Sequence, residues 1–158
     1  MSIVLSDADG TLFPATLGSN AHYTDEMQKN LHKIYHELTP LPWTVQHSYL
    51  FKARVFILHT GREERFNLIT RESIARHFGV VHFRIQNVAF AGSHANYVNN
   101  KIDVLIKLIE YWKVRKEKRE TIKVIDDDQD VIRPIHAIYY FDNDVECYTV
   151  TQEGLINL

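Results

Sequence analysis

Three short apolar runs, far apart along the chain, each end abruptly in acidic or hydroxyl-bearing residues. Runs of this length that stop at turn-forming residues are typical of strands buried on both faces of a sheet. Segments with helical periodicity lie between them, and this alternation predicts an α/β fold with a mostly parallel sheet. Because the carboxyl ends of parallel strands meet at one edge, the polar residues should share one crevice. The polar ends of the runs 3–5, 53–58 and 121–125 are Asp7 and Asp9, Thr60, and the stretch 126–130.

Periodicity and turn signals predict the remaining elements. The expected architecture is a three-layer α/β/α, Rossmann-like arrangement. It ends in a β-hairpin whose strands lie at 136–141 and 145–150. The other predicted elements are helices from Thr24 to Leu38, from just after Arg62 to Phe78 with Gly79 as a stop, and from Lys101 to Trp112, a strand within 80–90, and a loop over 92–100.

Composition excludes several classes of protein. The chain has 158 residues, of which 45% are hydrophobic, so it can bury the core of a single domain over residues 1–158. Its net charge of -2 excludes a histone-like cation, and its one cysteine, Cys147, excludes an internal disulfide and a cysteine-based metal site. No apolar run approaches about 18 residues, and no basic leader precedes the first strand. We therefore expect a cytoplasmic protein with no membrane partner.

The residue types at the strand ends indicate a particular chemistry. Several carboxylates without cysteine or paired histidine ligands form a hard-oxygen site, which suits Mg²⁺ better than zinc. One carboxylate can attack phosphorus while a second, two residues later, handles the proton of the leaving group. Asp7 and Asp9 have this spacing. A hydroxyl and an ammonium group would hold the phosphoryl oxygens, and Thr60 and Lys101 are placed for these roles.

The same residues resemble the motifs of a known enzyme family. Residues 7–12 read DADGTL directly after an apolar strand, which resembles the DxDGT signature of the haloacid dehalogenase-like (HAD) hydrolases. Thr60 is similar to the second motif of that family and Lys101 to the third. Asp126 and Asp127 are similar to the acidic fourth motif. The resemblance spans nearly the whole chain.

This resemblance implies a role for each acidic residue. Asp7 would be the nucleophile and Asp9 the general acid/base. Asp7, the backbone carbonyl of Asp9, and Asp127 would bind Mg²⁺, with Asp126 in support. An aspartate at position 9 implies phosphate transfer, because the dehalogenase members of the family lack this second carboxylate.

A narrower resemblance concerns the phosphatase domain of phage-type polynucleotide kinase/phosphatases. Residues 59–63 read HTGRE, which is similar to the serine-Gly-Arg-Glu stretch of that domain, and 124–127 and 144–148 resemble its closing segments. No G-x-x-x-x-G-K-[ST] phosphate loop occurs in this sequence, so no kinase module is indicated. The resemblance implies that Gly61 and Arg62 bind substrate. It also implies that the substrate is a polynucleotide with a terminal phosphate, a 3′-phosphate.

Two lysines compete for the third motif. Lys101 stands at the expected N-terminus of its helix and so faces the crevice, whereas Lys107 lies roughly 9 Å farther along. The lysine spacing of the phage-type domain instead favours Lys107 together with Asp103. We take Lys101 as the motif lysine and keep Lys107 as the alternative.

The sequence leaves open both the size of the substrate and whether the protein is an enzyme. The intervals between the motifs are too short for a large cap domain, so the crevice should be open, with Arg62 and Arg65 beside it to hold a phosphodiester backbone. An open site also admits mononucleotides or small phosphorylated metabolites, and a phosphatase of these is the alternative. A non-catalytic phosphate-binding module is the alternative from another class. The oligomeric state is not predicted.

Overall fold

One mixed sheet forms the centre of the protein, whose computed structural model describes residues 2–15, 25–90 and 92–158. Its strands are β1 Ser2–Ser6, β2 Val55–Thr60, β3 Arg84–Asn87, β4 Thr121–Ile125, β5 Val145–Thr151 and β6 Gly154–Asn157. In these ranges the strand order is β3-β2-β1-β4-β5-β6. The first five strands pair in parallel, and β6 pairs antiparallel with β5. The predicted α/β fold with a mostly parallel central sheet is confirmed.

Helices pack against both faces of this sheet. They are α1 Asp25–Glu37, α2 Trp43–Gln46, α3 Asn67–Phe78, α4 His94–Lys113 and α5 Gln129–Ile138. Alternate residues of β1 face opposite ways, so Ile3 and Leu5 pack with α4 and α5, whereas Val4 packs with α2 and α3. Burial on both faces explains why apolar residues occupy consecutive positions in the central strands β1 and β2. None of the helices in the described ranges is both long and apolar enough to cross a membrane.

The strand predicted over 136–141 is wrong, because its first residues complete α5. Asp128 caps this helix, since its side chain accepts a hydrogen bond of 3.0 Å from the backbone N–H of Asp130. The buried residues of α5 then recur at helical spacing: Val131, Ile132 and Ile135. The aromatic and aliphatic content of 136–141 favours a strand in isolation, but burial of a helical face outweighs that preference. The antiparallel pair near the C-terminus consists of β5 and β6 instead.

The loop predicted over 92–100 is also wrong, because α4 already begins at His94. Ser93 is the N-cap, and its hydroxyl oxygen accepts a hydrogen bond of 3.1 Å from the backbone N–H of Asn96. Small polar residues favour both loops and helix caps, which is why the sequence pattern places the helix start too late. Lys101 therefore lies about two turns inside α4 and not at its N-terminus.

Other boundaries differ less from expectation. β4 has its predicted bounds, and Gly79 ends α3 in the left-handed conformation with a φ of 72°. β2 ends at Thr60, so this residue belongs to the strand and does not follow it. Two short elements that were not predicted, α2 and a 3₁₀ helix over Ser48–Lys52, precede β2. The predicted cap of α1, Thr24, lies outside the described residues.

The order of the strands creates a crevice between β1 and β4. The chain passes from β1 to β2 and β3 on one side, and then crosses to β4 and β5 on the other. Ligands of open α/β sheets bind where the strand order reverses in this way. Asp7 follows β1 and Asp126 follows β4, and the Asp7 backbone N–H donates a hydrogen bond of 2.9 Å to the carbonyl of Ile125. The topology thus places two predicted acidic groups side by side.

Candidate active site

A buried ammonium group joins the two strand ends at this crevice. Lys101 donates a hydrogen bond of 2.8 Å to Asp7 Oδ1, and its Nζ lies 2.9 Å from Asp126 Oδ2. The Lys101 side chain is 2% exposed, and those of Asp7 and Asp126 are 8% and 0% exposed. The alternative lysine, Lys107, is exposed on the same helix, as is Asp103. The structure therefore places Lys101, and not Lys107, against the two carboxylates.

Neighbouring groups determine the charges in this cluster. Burial by itself would raise the pKa of Asp7, but the charge of Lys101, its hydrogen bond to Asp7 and smaller contributions from neighbouring groups together lower this pKa below the usual value. Burial likewise opposes the charge on Lys101, yet Asp126 and Asp7 hold its pKa well above the usual value. At neutral pH Asp7 is a carboxylate and Lys101 an ammonium ion. A nucleophilic aspartate requires the ionised form.

The turn after β1 aligns a third carboxyl group with Asp7. The Thr11 hydroxyl oxygen lies 3.0 Å from Asp7 Oδ2 and 2.9 Å from Asp127 Oδ1, and it accepts a hydrogen bond of 3.0 Å from Asp127 N–H. Gly10 has a φ of 83°, and a Cβ there would lie 2.4 Å from Asp127 Oδ2. This position needs glycine both for its backbone and for space. The contacts of Gly10 and Thr11 were not predicted, although their place in the DADGTL stretch was a signal for them.

The oxygen donors beside Asp7 fit a hard divalent cation. Burial, and then the negative charges of Asp7 and Asp126, raise the pKa of Asp127 to about 8. Burial also raises the pKa of Asp126 to about 7, against the opposing charge of Lys101. Because the Lys101 ammonium lies between Asp7 and Asp126, the oxygen donors left for a cation are those on the other side of Asp7, toward Asp127. A cation at this point would relieve the repulsion among the carboxylates.

Asp9 and Arg62 are bound to each other. Arg62 donates two hydrogen bonds, from Nε to Asp9 Oδ2 at 2.8 Å and from Nη2 to Asp9 Oδ1 at 2.7 Å. Its Nη1 donates to Thr70 Oγ1 at 3.1 Å, and its Cζ lies 3.9 Å from the centroid of the Tyr35 ring. The side chain of Arg62 is 1% exposed and that of Asp9 is 26% exposed. The structure thus joins the predicted general acid/base to a predicted substrate ligand.

Thr60 and Gly61 end β2 at the same edge of the sheet. Thr60 is buried, and its hydroxyl oxygen accepts a hydrogen bond of 3.0 Å from the backbone N–H of Arg62. A Cβ at Gly61 would lie 2.9 Å from the hydroxyl oxygen of Tyr97, so the glycine leaves room for that ring. Burial raises the pKa of Tyr97 despite the nearby charge of Lys101, so its phenol is protonated at neutral pH. Sequence reasoning missed Tyr97 because it fell in the stretch predicted as a loop.

Two further residues near the motifs differ in burial. His59 is fully buried with Nδ1 at 3.8 Å from Asp126 Oδ2, and burial followed by the charge of Lys101 lowers its pKa to about 3. Its ring is therefore neutral and packs behind the cluster without adding charge. Arg65 is exposed and pairs with Glu63 at 2.9 Å. Arg65 thus lies outside the buried cluster.

No protein-family model, curated protein or solved structure matches the chain. The assignment of function therefore depends on the crevice itself and on the motifs that meet there. At its centre is an ionised Asp7 with an ammonium group at one oxygen and a hydroxyl beside a third carboxyl group at the other.

Proposed function

We propose that the chain is a Mg²⁺-dependent phosphomonoesterase that forms an aspartyl-phosphate at Asp7, in the manner of the HAD hydrolases. The position of the Asp7 carboxylate supports this most strongly, with Lys101 at one oxygen and Thr11 beside Asp127 at the other. An anionic nucleophile needs positive charge nearby before an anionic phosphoryl group can approach. Lys101 supplies one such charge, and the Asp127 side has the oxygen donors for a cation.

The chemistry follows from these positions. In the first step an Asp7 oxygen bonds to phosphorus, the bond from phosphorus to the leaving oxygen breaks, and Asp9 donates a proton to that oxygen. In the second step water attacks phosphorus, Asp9 takes its proton, and phosphate departs as Asp7 is restored. Lys101 and Thr60 stabilise the phosphoryl oxygens. Mg²⁺ bound by Asp7, the Asp9 backbone carbonyl and Asp127, with Asp126 in support, would add positive charge there.

Arg62 has a positioning role in this scheme. Both Asp9 oxygens already accept hydrogen bonds from Arg62, so this ion pair must weaken at one oxygen when Asp9 takes up a proton. Thr70 and Tyr35 keep the guanidinium in place while that bond is open. Arg62 therefore holds Asp9 close to the leaving group and lets one oxygen turn toward it.

Replacement of the nucleophile tests the proposal directly. Asp7→Asn should lower turnover of an aryl phosphate with Mg²⁺ by more than about a thousandfold, because an amide does not form the aspartyl-phosphate. The matched control is Asp103→Asn, which alters an exposed carboxylate on α4 and should leave turnover and circular dichroism unchanged. Undiminished turnover in Asp7→Asn would contradict the mechanism.

For the substrate, we propose a polynucleotide end that bears a 3′-phosphate. The similarity of residues 59–63 to the phage-type phosphatases supports this, as does the small size of the segments between the motifs. In the described ranges the segment from β1 to β2 contains α1, α2 and a 3₁₀ helix, and that from β2 to α4 contains α3 and β3. Phosphatase activity on mononucleotides or small metabolites is the alternative. Rates on 3′- and 5′-phosphorylated oligonucleotides, mononucleotides and sugar phosphates distinguish the two.

One observation favours a second candidate, a non-catalytic phosphate-binding module. Asp9, which should exchange a proton, has both oxygens occupied by Arg62. A module that only binds phosphate would have no need to release them. Failure to hydrolyse any phosphomonoester in the presence of Mg²⁺, combined with measurable binding of phosphate, would establish this candidate instead.

A further inference from the structure

Aromatic rings line a path that leads from the Lys101 ammonium to the protein surface. The Tyr97 ring centroid lies 5.6 Å from Lys101 Nζ. The Phe90 ring follows, with its centroid 6.4 Å from that of Tyr97 and an angle of 38° between the planes. Phe90 comes after β3, at the edge of the sheet where Asp7 and Thr60 lie. We call Phe90 and Tyr97 together the aromatic shelf.

Packing of the fold does not account for Phe90. Its side chain belongs to none of the three hydrophobic clusters of the described residues, and it is 44% exposed. By contrast, Phe13, Phe56 and Phe66 are buried. The inner member of the shelf, Tyr97, is positioned by its close approach to Gly61 at the end of β2. The shelf is therefore continuous with the site at its inner end and open to solvent at its outer end.

We propose that the aromatic shelf binds the nucleobase of the nucleoside whose phosphate is removed, an inference that rests on the proposed phosphatase function. With the phosphate at Asp7 and Lys101, the sugar would extend outward past Gly61, and the base would stack on Phe90. Every nucleobase has a flat π-face, so stacking of this kind tolerates any base, whereas a sugar phosphate without a base lacks this contact. The base could belong to a mononucleotide or to a polynucleotide end.

The test is a ratio of specificities. It compares kcat/KM for a nucleoside 3′-phosphate with kcat/KM for the corresponding sugar phosphate that lacks a base. Phe90→Ala should lower this ratio about tenfold, mainly through KM, because removal of one stacking ring weakens base binding by about this factor. Phe90→Tyr should retain the ratio, whereas Phe90→Leu, which is apolar but has no π-face, should not. Phe141→Ala is the control for an exposed ring, since Phe141 is 94% exposed and follows α5 at the opposite edge of the sheet.

The outcomes separate the shelf from the phosphatase function. An unchanged ratio in Phe90→Ala, or an equal loss in Phe141→Ala, overturns the shelf while hydrolysis stands. If the wild-type protein hydrolyses neither substrate, the phosphatase function fails. The shelf is then tested by the ratio of the equilibrium affinities for the same two compounds, compared between the wild type and Phe90→Ala. An equal effect of Phe90→Ala on a mononucleotide and an oligonucleotide indicates that the terminal base alone is bound. An effect on the oligonucleotide only identifies a polynucleotide end as the source of the base.

Discussion

Asp7 and Asp9 stand two positions apart on one turn, yet the protein holds them in different ways. The two oxygens of Asp7 contact Lys101 and Thr11, which belong to different elements, and its side chain is 8% exposed. Both oxygens of Asp9 contact a single residue, Arg62, and its side chain is 26% exposed. In the proposed mechanism the carboxylate held from two sides is the nucleophile, which must stay ionised. The carboxylate held by one partner is the group that exchanges a proton.

A third carboxylate, that of Glu120, is bound by an arginine in the same geometry as Asp9 but lies away from the candidate site. Arg54 donates to Glu120 through Nε at 2.7 Å and through Nη2 at 2.6 Å, which is the same two-bond arrangement. This pair lies at the amino ends of β2 and β4, the edge opposite the crevice. The same two-bond arrangement between an arginine and a carboxylate is therefore a structural ion pair at one edge of the sheet and part of the candidate site at the opposite edge.

The largest effect is expected from Lys101→Met, which removes one side of the Asp7 environment. Asp7 and Asp126 would then be buried without a positively charged partner, and this should lower the free energy of unfolding by about 3–5 kcal/mol. Turnover should fall by more than about a thousandfold, because Asp7 loses the charge that lowers its pKa. Urea denaturation and aryl phosphate kinetics measure the two effects.

Lys107→Met is the matched control for this prediction, because Lys107 is exposed on the same helix. This variant should change neither the free energy of unfolding nor turnover appreciably. Equal losses in the two variants would mean that helix charge, and not contact with Asp7, is responsible.

A smaller effect on turnover is expected from Gly10→Ala, which alters the side of Asp7 where Thr11 and Asp127 lie. The new Cβ would displace the Asp127 carboxyl group, so the Mg²⁺ concentration that gives half-maximal turnover should rise about tenfold or more. Gly79→Ala is the control, because Gly79 also has a positive φ but a Cβ there meets nothing within 4 Å. It should cost about 1 kcal/mol of stability without altering the dependence on Mg²⁺. The same Mg²⁺ dependence in both variants would argue against a cation at Asp127.

The Asp9 environment is tested by Arg62→Lys, which retains the charge but not the two parallel hydrogen bonds. Turnover should fall about tenfold, and equally for an oligonucleotide and an aryl phosphate, if Arg62 acts by positioning Asp9. If Arg62 instead binds a backbone phosphate, as predicted from the sequence, the oligonucleotide alone should lose turnover. The salt dependence of kcat/KM for the oligonucleotide distinguishes the two roles as well, because a contact between Arg62 and a backbone phosphate of the oligonucleotide weakens as the salt concentration rises.

The smallest effect on activity is expected from Glu120→Gln. Hydrogen bonding to Arg54 lowers the pKa of Glu120 from 4.5 to about 2, so its stabilisation is complete above pH 4.5 and is lost as the pH falls toward 2. The variant should be less stable than the wild type by about 2 kcal/mol at pH 7, with a difference that shrinks from pH 5 to pH 3. Denaturation across this range checks the slope. Turnover at pH 7 should not change, and a large loss would mean that the two edges of the sheet are coupled.

Local patterns in the sequence predict parts of the candidate site. A short apolar run that stops at a polar turn indicates a buried strand, and parallel strands bring their carboxyl ends to one edge. This pattern predicts that Asp7, Thr60 and Asp126 lie at one edge of the sheet. Lys101 does not lie at the N-terminus of its helix as the pattern predicts, because α4 begins at His94, yet the face of α4 that packs on the sheet directs Lys101 to Asp7.

Tertiary structure alone decided the contacts between distant residues. The Arg62–Asp9 pair, the Thr11–Asp127 contact and the approach of Tyr97 to Gly61 each join segments whose spacing in the chain follows no helical or strand period. Residues 136–138 show the same limit, because they continue α5, whose buried face is formed by Val131, Ile132 and Ile135. Periodicity records which face of an element is buried, so it indicates most of the elements but fixes their ends less well. It does not record which side chain of another element will meet that face, because packing of the whole chain selects the partner.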